Sequence, residues 1–249
     1  MKQIDAEQPL MAHLEELRKR LIRILIALTI VFSLCYWKSV YLFEFIKKPL
    51  MLYMPPNSSL SMLKLTEGFI TELKLSFMAA VFFCMPYILY ELWKFIAPGL
   101  YAHEKKYVSG FVTSASILFF FGAYFCYQFV LPIAFKFFLT YATDGISANL
   151  SLTWYLSFVV KLMLGFGAVF ELPVIVFFLA KIGLVKDTML KKYRGYSIVG
   201  IFIIAAILTP PDVVSQVLMA IPLLILYEIS IFVAKIFGKK ESGKVDIYE

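Results

Sequence analysis

Apolar residues fall in long blocks at about 21–37, 73–93, 108–131, 156–180, 196–209 and 214–234, separated by shorter polar stretches. A helix rising about 1.5 Å per residue needs about 20 apolar residues to cross the hydrocarbon core of a bilayer, within a range of about 17–25. The second, third, fourth and sixth blocks meet that length, and the first is near its lower limit. The fifth, Tyr196 to Thr209, is short, so either its helix starts earlier, near Tyr193, or the bilayer thins around it. The pattern predicts an all-α integral membrane protein of six transmembrane helices, with an amphipathic polar segment at 1–20, a single membrane domain at 21–237 and a polar tail at 238–249. The first block follows polar residues and leads into Cys35-Tyr36-Trp37-Lys38 with no small-residue cleavage site, so it reads as a retained span rather than a cleaved signal peptide.

Lys and Arg collect in cytoplasmic loops, which fixes an expected orientation. With the N-terminus inside, the inner segments hold seventeen of these residues, from Lys2, Arg18, Lys19, Arg20 and Arg23 to Lys235 and Lys244. The outer segments hold six: Lys38, Lys47, Lys48, Lys64, Lys74 and Lys136. Both termini are therefore expected in the cytoplasm, although the region of the first outer loop carries five of those six. Trp37, Trp93 and Trp154 fall at the ends of blocks, where amphipathic indole rings favour the membrane interface.

The long first loop, about 38–72, begins with an amphipathic stretch expected to lie as a short helix at the surface and to stop near Pro49. Pro55-Pro56-Asn57 and Asp144-Gly145 read as turns, and Pro210-Pro211-Asp212 as a tight turn between the last two spans, with Asp212 as a cap.

Composition agrees with the block pattern. The chain has 249 residues, 61% hydrophobic and 16% charged, with mean hydropathy +0.82. A soluble domain has roughly 45–50% apolar and about 25% charged residues. The net charge of +7 sits at the ends of apolar blocks, which points to membrane anchoring and away from nucleic acid. Cys35, Cys84 and Cys126 lie in or beside apolar blocks without zinc spacing, and read as buried small residues. No catalytic motif, metal cluster or phosphate loop occurs, so neither enzyme activity nor a cofactor is expected.

Four features carry chemistry. The first is His13-Leu14-Glu15-Glu16-Leu17-Arg18-Lys19-Arg20, where i,i+4 spacing pairs Glu15 with Lys19 and Glu16 with Arg20. Local chemistry alone makes it a basic juxtamembrane anchor, yet its two carboxylates stand on a face that otherwise collects positive charge. The second is Phe95-Ile96-Ala97-Pro98-Gly99-Leu100-Tyr101-Ala102-His103-Glu104, broken at Pro98-Gly99, with Glu104 placed to favour a helix dipole.

The third is Glu171, followed by Pro173, inside the fourth block. A charge there costs about 2.5–3.5 kcal/mol on insertion scales, so an intramembrane acid is a functional candidate by default. Lys161, in the same block, is offset by about 80° around the helix and about 15 Å along it, too far to pair. The fourth feature, Thr209-Pro210-Pro211-Asp212-Val213-Val214-Ser215-Gln216, leaves Gln216 inside the last span, where it can hydrogen-bond to a neighbouring helix.

In this order these motifs resemble the TatC family, the core receptor of the twin-arginine protein translocase. HLEELRKRL, FIAPGLYAHE, FELP and LTPPDVVSQVLMAIPLLILYEISI carry the resemblance from about residue 8 to 237. It implies a multi-pass protein of the bacterial inner membrane that binds twin-arginine signal peptides of folded precursors. TatA- and TatB-type single-span partners, self-association in a receptor complex and the proton-motive force are implied with it. Glu16 and Glu104 match the carboxylates that recognise the arginine pair, with Leu17, Arg18 and Phe95 on the same surface. Pro49 matches a position in an outer-loop cap and Glu171 the intramembrane acid, while Thr209, Pro210, Pro211, Asp212 and Gln216 match a partner-docking region. A proton-coupled small-solute transporter using Glu171 is the alternative, disfavoured by the lack of internal repeats and of broken mid-membrane helices.

Overall fold

A computed structural model describes residues 4–55, 59–96, 108–140, 149–209 and 213–238. They fall into two compact units, Met1–Leu164 and Gly165–Glu249. Five helical stretches are long and apolar enough to span a membrane: Met11–Trp37, Glu67–Phe95, Gly110–Leu139, Leu152–Lys181 and Ser215–Phe237. A sixth, Arg194–Leu208, is apolar but shorter.

In the first unit, α1 (Ile4–Trp37) continues well before its apolar block. The polar segment is rich in good helix formers, and both expected i,i+4 ion pairs are present, Glu15–Lys19 at 2.8 Å and Glu16–Arg20. Further along α1, Leu25, Ile26, Ile30 and Leu34 are exposed, as lipid-facing residues must be. α3 (Glu67–Ile96) packs along α1, and α4 (Val108–Phe125) packs on α3.

Pro49 does not stop α2, which runs from Ser39 to Met51 with Pro49 inside it. Proline lacks the N–H that would bond the Phe45 carbonyl four residues back. The Tyr127 hydroxyl donates to that carbonyl instead, at 2.8 Å, and the Phe45 and Tyr127 rings stack at 4.7 Å. The Tyr155 hydroxyl donates to the next carbonyl, Ile46, at 2.6 Å. Ile46, Pro49 and Leu50 are buried, so α2 is a packed element of this unit rather than a helix resting on a surface.

Pro132 has a comparable local effect. It removes the donor for the Gln128 carbonyl, and a π-helical turn, Cys126–Val130, joins α4 to α5 (Leu131–Leu139). A short parallel strand pair, β1 (Ser59–Ser61) with β2 (Asn149–Ser151), was without sequence signal. Glu67 pins it in place. Its carboxylate accepts from the Leu63 and Lys64 amides, from Ser151 Oγ at 2.6 Å and from the Thr153 amide at 2.9 Å. Trp37 and Trp154 are exposed at helix ends as expected, but Trp93 is buried and stacks on Phe111 at 5.2 Å, so it is a packing residue.

α6 (Leu152–Phe170) begins in the first unit and ends in the second. The fourth block is then interrupted at Glu171, before α7 (Leu172–Lys181). Pro173 cannot extend the hydrogen-bond ladder, and the Glu171 amide turns to Ala168 O at 3.2 Å. With the π turn, this makes two interrupted spans where the sequence reading expected unbroken helices. α7 closes on Gly183, whose φ of 84° suits a left-handed residue. Leu184 N–H bonds Leu179 O and Gly183 N–H bonds Ala180 O, the two bonds of a Schellman ending.

α8 (Asp187–Lys192) has an acid in its first turn and lysines in its last, matching the helix dipole. Lys191 beside Asp187 holds that carboxyl below its ordinary value. α9 (Arg194–Leu208) starts two residues before its expected block, yet its 15 residues span only about 22 Å. α10 (Val213–Phe237) packs on α7, α8 and α9, with Val176, Ala180 and Ala234 buried together against Leu190.

Candidate functional site

At the end of the first unit where α3 finishes, one stripe of α1 meets one stripe of α3. His13, Glu16 and Arg20 recur at i, i+3 and i+4 spacing and so share a face of α1. Glu91, Lys94 and Phe95 do the same on α3. The helices are antiparallel here. His13 stacks on Phe95 with ring centroids 4.2 Å apart, and Arg20 meets Glu91 one to two turns further in.

Arg20 is the hub of this contact. Its Nε donates to Glu16 Oε1 at 3.1 Å and its Nη2 to the same oxygen. Nη1 donates to Glu91 Oε2 at 2.8 Å, and Nη2 also reaches the Lys94 carbonyl at 3.3 Å. Arg23 Nη1 lies 3.7 Å from Glu91 Oε1, and the Tyr87 hydroxyl donates to that oxygen at 3.2 Å. Arg20 and Glu91 are buried, whereas the Glu16 side chain is 37% exposed. Leu17 and Arg18, which follow it in sequence, are exposed, and Leu14 is exposed on another face of α1. The result is a carboxylate anchored from below and open above.

Of the five residues expected at this surface, Glu16, Leu17, Arg18 and Phe95 lie at this end of the unit, and Glu104 lies outside the described residues. The sequence reading missed Arg20 as a hub and Glu91 altogether. An acid near the end of the apolar block 73–93 was a visible signal, but its partner is 71 positions away in sequence.

The other candidates lie elsewhere. Pro49 is buried in α2. Glu171 is 6% exposed, and its Oε1 has no hydrogen-bond partner among the described residues. Thr209 is buried at the end of α9, its hydroxyl donating to Ala205 O at 2.8 Å. Gln216 Nε2 donates to Phe202 O at 3.0 Å, the inter-helix bond that its position in the span led us to expect. Pro210, Pro211 and Asp212 lie outside the described residues, as do the Asp144-Gly145 turn and residues 56–58. Among the described residues no metal-binding cluster occurs, and the three cysteines are free and buried.

These features define an all-α, multi-pass membrane protein with a charged cluster at one end of its first helix pair. The TatC family profile, described as Sec-independent protein translocase protein, matches residues 12–222. The chain is 43% identical over 243 residues to the Sec-independent protein translocase protein TatC of Desulforapulum autotrophicum, covering 98% of this chain and 90% of that one. It is 46% identical to that of Helicobacter pylori strain 26695, covering 92% and 88%, and 38% identical to that of Escherichia coli K12, covering 95% and 92%. The crystal structure of a twin arginine translocase receptor, TatC, superposes with a TM-score of 0.83 at 41% identity, covering 90% of this chain and 98% of that one. The chain belongs to the TatC family, components of a protein translocase.

Proposed function

We propose that this chain is the receptor subunit that binds twin-arginine signal peptides at the cytoplasmic face, with both termini on that side. With TatA- and TatB-type single-span partners, it moves folded precursors across the membrane at the expense of the proton gradient. Family membership supports this reading over a solute transporter built on Glu171.

The observation that carries it is the accessible Glu16 carboxylate, held in place by Arg20. A guanidinium is a planar fork that a carboxylate meets with two parallel bonds, a geometry an ammonium cannot reproduce. Exposed ion pairs contribute little by themselves, so apolar contact with the hydrophobic part of the signal peptide has to supply the remaining affinity. Glu104 is proposed as the second carboxylate, with Arg18 and Phe95 on the same surface. Pro49 is assigned to the outer cap, and Thr209 to Asp212 with Gln216 to partner docking.

The test is photo-crosslinking of a twin-arginine precursor to the full translocase in native membranes. Glu16→Ala and Glu104→Ala are each expected to weaken the crosslink severalfold. Wild-type crosslinking in both variants would refute the assignment.

A further inference from the structure

We propose that Arg20 is a positioning residue that makes the recognition carboxylate selective for arginine over lysine. This rests on the assignment of Glu16 above. One guanidinium bridges two helices. It donates twice to Glu16 Oε1, once to Glu91 Oε2 and once to the Lys94 carbonyl. A planar group bound to three separate acceptors cannot turn without breaking a charge-assisted bond.

The Glu16 Oε1 atom is thereby pinned to a buried frame, which restricts the side chain to rotamers that reach Arg20. Both bonds from Arg20 fall on Oε1, and no hydrogen bond to Oε2 occurs among the described residues. Oε2 of this anchored side chain is the edge left open, and its two lone pairs can take a second guanidinium as Oε1 takes the first.

Glu91 supports the frame. It is 3% exposed and faces Arg20, Arg23 and the Tyr87 hydroxyl. Two guanidinium groups and a hydroxyl share its charge, so it anchors Arg20 without drawing it away from Glu16. An ammonium is a point charge with rotatable donors and has no use for an oriented edge, whereas a guanidinium does. A freely rotating Glu16 would attract both cations; a fixed one favours the fork.

The proposal separates positioning from simple bracing by a charge exchange. In Arg20→Glu with Glu91→Arg, the pair between α1 and α3 is rebuilt with its charges reversed, but Arg23 loses its acid and a carboxylate now stands beside Glu16. The full translocase in native membranes is photo-crosslinked to precursors carrying twin-arginine or twin-lysine signal peptides, and the ratio of the two yields is read. The exchange is expected to lower the arginine-to-lysine ratio roughly tenfold, about the worth of one charge-assisted hydrogen bond.

A ratio at the wild-type value would make Arg20 a structural brace and overturn the proposal. Should the exchanged protein not accumulate, Arg20→Lys decides, because it keeps the positive charge near Glu91 but loses the fork. A fallen ratio in that variant is expected, and an unchanged one refutes positioning. Glu16→Ala runs in parallel. Unchanged arginine crosslinking there would remove the recognition assignment itself, an outcome distinct from a Glu16-dependent crosslink whose selectivity ignores Arg20.

Discussion

At the scale of single residues, three acids in or beside spans have different fates. Glu67 is satisfied by two backbone amides in its own loop and by Ser151 and Thr153 across from it. Glu91 is satisfied by guanidinium groups and a hydroxyl. Glu171 is buried with one oxygen unpartnered among the described residues. An acid left that way within a span is costly, and the cost is most easily explained by a role in transport. We therefore propose that Glu171 hydrates or opens the fourth span during transport. Glu171→Gln is expected to slow export while signal-peptide crosslinking stays at the wild-type level. Export at the wild-type rate in that variant would show that the carboxylate has no charge-dependent role.

At the scale of elements, prolines shape the helices through the donors they remove. Pro49 is kept inside α2 because Tyr127 takes over the Phe45 carbonyl. Pro132 follows a π turn, and Pro173 follows the break at Glu171. The sequence pattern predicts a stop near Pro49 and an unbroken span through Pro173, and both expectations fail, because the hydroxyl that rescues the Phe45 carbonyl comes from another part of the chain and the break at Glu171 has no signal in the apolar pattern. Gln216 shows the opposite case: a polar residue in an apolar helix must find a partner, and it bonds Phe202 O. Gln216→Leu is expected to weaken the α9–α10 contact by about 0.6 kcal/mol, the mean for such bonds in membranes. Unfolding of the purified protein in bicelles would measure it.

For the whole molecule, the expected orientation makes a direct prediction. In a variant whose Cys35, Cys84 and Cys126 are replaced by alanine, a cysteine at Ser59 should react with a membrane-impermeant maleimide added to intact cells. One at Met11 should react only after the membrane is opened. Both positions are exposed, so their reactivity reports sidedness. The reverse labelling pattern would invert the topology and place Glu16 on the wrong side for signal peptides arriving from the cytoplasm.

The class of fold was legible in the sequence because a bilayer imposes a length on apolar runs that no local chemistry disguises. The i,i+4 ion pairs of α1 and the need of Gln216 for a neighbouring acceptor were legible too, since each depends on residues close in sequence or on burial alone. The strand pair between Ser59–Ser61 and Asn149–Ser151, the burial of Trp93 and the Arg20–Glu91 bridge were not. Each joins segments dozens of residues apart, and the energy of such a contact exists only once packing has removed both partners from water. Sequence alone therefore put Glu15 and Glu16 as acids on a basic face, and the family resemblance pointed to Glu16. Tertiary structure decided that this acid is held from beneath by a guanidinium shared with another helix.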